Sequence, residues 1–160
     1  MILVTVGTQL PFDRLIKRVE SWAISTCHSD IVFQVGLNGY RPLIGRATEF
    51  IPPKELHCLI DRAELVVAHA GIGSIISCLS LGKPIVIMPR EFRFGEHRND
   101  HQIATATKLR HIPGLYVADS DTSLSDVIGA ARHASYKTSP TSFASQADDS
   151  LINYIRKLLI

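Results

Sequence analysis

Ile2–Val6 is an unbroken apolar run with the length of a strand buried on both faces. Pro11–Ile24 follows with Phe12, Leu15, Ile16, Val19, Trp22 and Ala23 at helical spacing. The alternation then repeats. Ile31–Val35 predicts a second strand, Glu49–Ile51 a short third, and Pro53–Arg62 a helix with proline in its first turn. Leu65–Ala68 is the next strand, Ile72–Leu81 an apolar helix broken by Lys83-Pro84, and Ile85–Met88 a buried strand stopped by Pro89. After the polar stretch Arg90–Asn99, Asp100–Arg110 returns to helix, Leu115–Val117 closes the strand series and Asp121–His133 reads as a helix. Short apolar strands alternating with helices predict a parallel sheet covered on both sides, an α/β three-layer domain.

Composition narrows the class without changing that picture. The chain has 160 residues, 46% apolar and 20% charged, which fits one globular domain and excludes disorder and collagen. A formal charge of +2, with basic residues scattered among 15 acidic ones, lacks the dense cationic face that nucleic acid requires. Cys27, Cys58 and Cys78 fall in no zinc-like spacing and read as free thiols of a reducing, cytoplasmic compartment. The amino-terminal run has no preceding basic region, so it is not read as a signal peptide. No stretch approaches the roughly 20 apolar residues of a membrane span. Residues 1–133 therefore form the predicted domain, and 134–160 a Ser/Thr-rich linker followed by an apolar-striped helix, Leu151–Ile160. That stripe either closes the domain or docks a partner, a second copy of the chain included.

In a parallel α/β sheet, ligands bind outside the carboxyl ends of the strands. There, His69-Ala70-Gly71-Ile72-Gly73-Ser74 runs from a strand through two glycines into a helix. The amides of that helix start suit a phosphate, with Ser74 and His69 as further donors; alternatively the glycines only turn the chain and Ser74 caps the helix. Ile76 takes the third glycine's place in the dinucleotide fingerprint, which disfavours a dehydrogenase. Gly7-Thr8-Gln9 makes a second turn at the end of the first strand. The stretch Glu91–Gln102 is rich in hydrogen-bonding side chains that suit sugar hydroxyls, or else a solvated loop capped by Asn99 or Asp100. His97 and His101 stand four apart, but no further metal-ligand spacing accompanies them.

The order of His69–Ser74, Leu81-Gly82-Lys83-Pro84 with Pro89, and Phe94–Gln102, preceded by Val4–Gln9 and Pro11–Leu15, resembles the glycosyltransferase family 28 C-terminal-domain class over residues 1 to about 118. More narrowly, the chain resembles small catalytic subunits of two-component transferases. These include bacterial PssE-type exopolysaccharide subunits and the eukaryotic subunit that completes dolichol-linked chitobiose. The resemblance implies a Rossmann-like parallel sheet, the donor-binding half of a GT-B fold. It implies an inverting glycosyltransferase that uses a UDP-sugar, without metal or further cofactor, and transfers to a polyprenyl-diphosphate-linked acceptor held by a membrane-anchored partner. It would then sit peripherally on the cytoplasmic face of the membrane.

By the same resemblance, His69 and the amides of Gly71, Ile72, Gly73 and Ser74 hold the diphosphate, bordered by Gly7 and Thr8. Asn99, Asp100, His101 and Gln102 contact the sugar, and Phe50 and Ile51 lie by the uracil. Ser77 stands where many relatives carry a ribose-binding Glu. Glu96 and His97 are local candidates for the general base, and Arg90, Arg93 and Arg98 for meeting a glucuronate carboxylate. The competing expectation is a non-catalytic nucleotide-binding or scaffold protein of the same fold.

Overall fold

Alternate residues of each strand feed opposite faces of one sheet, which fixes the architecture. The computed structural model describes residues 1–119 and 122–135; the predicted linker beyond 135 and the helix Leu151–Ile160 lie outside the described residues. Strands β1 (Ile2–Thr5), β2 (Ile31–Gln34), β3 (Arg46–Thr48), β4 (Leu65–His69), β5 (Ile85–Met88) and β6 (Leu115–Val117) form a parallel sheet in the order β3-β2-β1-β4-β5-β6. Ile2 and Val4 of β1 face the layer containing helices α1 (Asp13–Ser25) and α5 (Leu124–Ser135), where Leu15, Ile16, Val19, Leu124 and Ile128 are buried. Leu3 faces the other layer, formed by α2 (Pro53–Arg62), α3 (Ile72–Ser80) and α4 (His101–Leu109), with Ile60, Ile75, Leu79 and Leu109 buried. The three-layer α/β reading therefore holds.

The strand predicted at Glu49–Ile51 lies three residues earlier, at Arg46–Thr48. As the sheet's edge it pairs with β2 alone, so its sequence needs no apolar run, and Arg46 is exposed. Ile51 is buried instead because the chain turns inward toward α2. A short 3-10 turn, Phe92–Phe94, interrupts the polar stretch after β5.

Candidate functional site

The sheet order reverses direction between β1 and β4, and in such sheets the crevice beyond the carboxyl ends of the two strands is the place for a ligand. A cavity of about 430 Å³ opens there. It gathers Gly7 and Thr8 from the turn after β1, and Phe50 and Ile51 from the segment before α2. From the β4–α3 junction come His69, Gly71, Gly73 and Ser74, joined by Ser77 of α3 and by His97, His101 and Gln102 around the start of α4. Glu96, Asn99, Asp100 and Ile72 are not among its walls. Among the described residues no Asp or Glu lines the cavity, whereas the cation Arg90 does.

β4 ends in His69, whose ring is slotted between two main-chain turns. A Cβ on Gly7 would come within 2.6 Å of the ring, and one on Gly71 would overlap Nε2. Gly7 also holds φ +77°, a backbone that glycine adopts freely. Burial, and then the nearby charge of Arg90, lower the His69 pKa from 6.5 to about 4, so the ring is neutral at pH 7. The Thr5 backbone opposes that shift, yet Nδ1 is buried with no hydrogen-bond partner among the described residues. Nε2 is the ring atom nearest Gly71, so that edge of the imidazole faces the start of the following helix.

α3 begins beside it. Its cap is Gly71 and no side chain caps the terminus; Ser74, one of the two sequence readings for a cap, is the third helical residue. The first-turn N–H groups therefore keep their capacity to bind an anion. Gly73 is exposed, and a Cβ built on it meets no atom within 4 Å, so the protein's own packing does not demand glycine there. The Ser77 hydroxyl donates to the Gly73 carbonyl at 2.8 Å. Cys78 is buried against this floor, and burial pushes its thiol up to about 12.

The polar stretch after β5 divides differently from the sequence reading. Glu96 is not placed to act as a base: Arg14 Nε and Nη2 each donate to its carboxylate at 2.7 Å, and the Glu91 N–H donates to it at 3.0 Å. Asp100 accepts from the Phe92 N–H, and the Asn99 carbonyl is taken by His101, so neither faces the cavity as a sugar contact. Arg90 is 2% exposed and pairs with no carboxylate among the described residues; its guanidinium donates to the carbonyls of Val6, Leu10, Pro11 and Glu96. Burial lowers its pKa to about 10, which leaves it charged at pH 7. Arg93 pairs with Glu91 at 2.6 Å. Of the three arginines offered for a glucuronate, two are thus committed elsewhere.

Gln102 does reach the site. It is 4% exposed and lines the cavity, while its Oε1 accepts from the Arg90 N–H at 3.1 Å. His97 and His101 meet edge to face, ring centroids 4.4 Å apart. Partial burial, then His101, Arg90 and Arg98, hold the His97 pKa below its ordinary value. Among the described residues no group of three or more His, Cys, Asp or Glu side chains is arranged to hold a metal ion. Sequence reasoning missed Gln34 and Thr5, which also line the cavity; the signal was an amide at the end of an otherwise apolar strand.

Comparison with known proteins agrees with this geometry. The family model described as glycosyltransferase family 28 C-terminal domain matches residues 1–152. The UDP-N-acetylglucosamine transferase subunit ALG13 of Yarrowia lipolytica is 29% identical over 153 residues, covering 85% of this chain and 74% of that protein. The Mus musculus protein of the same description is 33% identical over 116 residues, 66% of this chain but only 10% of its own length. Among solved structures, the glycotransferase of kitacinnamycin superposes with a TM-score of 0.66 at 19% identity, over 90% of this chain and 38% of that one. The solution structure of ALG13 superposes with a TM-score of 0.54 at 20% identity, over 83% and 84%. At these identities the superpositions establish the fold, that of a GT-B donor half, and with the match over residues 1–152 they make the chain a member of the glycosyltransferase family 28 C-terminal domain family, a small glycosyltransferase subunit related to ALG13.

Proposed function

We propose that this chain binds a UDP-sugar and is the catalytic subunit of an inverting glycosyltransferase completed by a membrane-anchored, acceptor-binding partner. One observation carries the reading: a neutral, buried His69 stands beside the uncapped start of α3, in a cavity whose described lining has a buried cation and no carboxylate. That combination favours a diphosphate. Uracil then lies by Phe50 and Ile51, ribose by Ser77, and the sugar by His101 and Gln102. The α3 amides stabilise negative charge on the departing diphosphate, an electrostatic role built into the fold.

Transfer forms a bond between the acceptor hydroxyl oxygen and the anomeric carbon as the bond to the diphosphate breaks, and the hydroxyl proton must go to a base. With Glu96 tied to Arg14, that base is His97 or a group of the partner. The relatives' description as subunits supports a partner. Among the described residues no helix is long and apolar enough to cross a membrane, so on this reading attachment comes through that partner.

The uridine nucleotide in the relatives' description makes UDP-N-acetylglucosamine the first donor to test, with UDP-glucuronate second because Arg90 and Arg93 are committed elsewhere and Arg98 does not line the cavity. The polyprenyl-diphosphate acceptor and a place in exopolysaccharide synthesis rest on the sequence resemblance, as does a docking or closing role for 134–160. Radiolabelled sugar transfer to a polyprenyl-diphosphate-sugar, with and without partner-containing membranes, tests the proposal. Nucleotide binding without transfer under any donor would favour the non-catalytic alternative, which would account for a cavity with no carboxylate among its described lining residues.

A further inference from the structure

We propose that Gln34 is a positioning residue that fastens the phosphate side of the cavity to its nucleobase side, so that an intact nucleoside diphosphate binds better than its separate parts would suggest. The inference rests on the reading of the cavity given above. Gln34 ends β2, is 4% exposed, and spends its whole amide on main chain and one hydroxyl. Its Oε1 accepts from Thr5 Oγ1 at 2.7 Å and from the N–H groups of Val6 and Gly7, each at 3.1 Å. Its Nε2 donates to the Gly7 carbonyl and to the Glu49 carbonyl, each at 2.9 Å.

The two ends of this one planar group thus grip different walls. Gly7 is the residue on which the His69 ring rests, so holding its N–H and carbonyl fixes the ring's seat. Glu49 immediately precedes Phe50 and Ile51 and lies one residue past the end of β3 at Thr48; its carbonyl accepts from the Gly36 N–H at 3.2 Å as well as from this amide, which adds a side-chain hold to the last main-chain bond before the nucleobase wall. A buried amide costs free energy unless its donors and acceptor are satisfied, and here they are. Its nearest isosteres do not reproduce it: Glu lacks the two donors, Asn is one methylene short and Met has no donor and only a weakly accepting sulfur. Fixing two walls before the ligand arrives reduces the ordering cost of binding across both, which is an advantage only to a ligand that touches both.

Displacement of a fluorescent UDP analogue from the full chain, with UDP, pyrophosphate and uridine as competitors, tests this. Gln34→Met should weaken UDP by about tenfold or more, while pyrophosphate and uridine each change by less than about threefold. Thr5→Val removes one donor to the amide and a 3.3 Å acceptor for the Gly7 N–H, two ties of the same wall, and should show the same pattern at smaller size; if Gln34→Met does not melt cooperatively, Thr5→Val decides. A folded variant that binds UDP as the wild type does, or loses pyrophosphate by the same factor as UDP, overturns the inference. Wild-type protein that binds no UDP overturns the cavity reading itself.

Discussion

Gly73→Val separates a ligand site from a mere turn. The residue is the second of α3, and a Cβ there meets no protein atom within 4 Å, so the new side chain is accommodated and enters open cavity. Valine is slightly better than glycine inside a helix, which leaves the folding free energy within about 0.5 kcal/mol of wild type. Two methyls in front of the α3 amides would nevertheless keep a diphosphate from approaching them. Losing one hydrogen bond to a charged group costs about 1.5–3 kcal/mol, a roughly 10- to 150-fold rise in Kd for UDP. Gly71 offers no such test, because a Cβ there overlaps the His69 ring and disturbs both fold and site. Calorimetric titration with UDP, alongside urea unfolding, measures both quantities. A Gly73→Val protein with wild-type stability and wild-type UDP affinity would refute the phosphate-loop reasoning.

His69→Gln should weaken UDP binding and alter the pH dependence of folding. The folded ring has a pKa of about 4 against an ordinary 6.5, so the unfolded chain takes up a proton first as pH falls and the stability His69 contributes, full above about pH 6.5, is lost toward pH 4. Urea melts at pH 7 and pH 5 should show wild type losing about 1–3 kcal/mol more than the variant, and equal losses would contradict the buried neutral ring. Gln102→Ala should weaken UDP-sugar binding more than UDP binding, and lower stability by about 1–3 kcal/mol because the buried Arg90 N–H loses its acceptor; equal losses for the two ligands would remove the sugar assignment. Glu96→Gln should lower stability by about 1–3 kcal/mol through the weakened Arg14 clamp yet keep transfer within about threefold in the reconstituted pair. Abolished transfer by a folded Glu96→Gln protein would restore Glu96 as the base.

What the sequence disclosed followed the strength of its local signals. β5, β6 and α2 lie where predicted, because an apolar run or a first-turn proline marks each of them. β3 was displaced because an edge strand carries little hydrophobic pattern. At the site, the glycine loop was readable since its function needs particular backbone at consecutive positions. The roles within Arg90–Asp100 were not, because they depend on a residue far away in the chain: Arg14, 82 positions before Glu96, turns a candidate base into the anchor of a loop. Arg90 likewise looks like a surface cation until the fold brings the carbonyls of Val6, Leu10 and Pro11 around it. The seat of His69 between Gly7 and Gly71 needs β1 and β4 to be neighbours, a fact of topology.

The chemistry gathered at that seat is unequal, and the inequality bears on how the reaction is shared. The features that would stabilise a departing diphosphate are present on this chain: uncapped helix amides, a buried imidazole beside them, and a buried guanidinium satisfied by carbonyls rather than cancelled by a carboxylate. Among the described residues nothing equivalent stands ready for the attacking hydroxyl. The carboxylates of the loop after β5, Glu91 and Glu96, are consumed by Arg14 and Arg93 in holding that loop. His97 lines the cavity with its pKa held low by burial and by cationic neighbours, which keeps it free to accept a proton but makes it a weaker base. Placing a carboxylate inside the cavity would solve that problem at the expense of the diphosphate, since like charges a few ångströms apart repel. On the proposed function, separating the two tasks onto two polypeptides resolves the conflict: the base approaches only when the acceptor-binding partner closes over a cavity already tuned for negative charge.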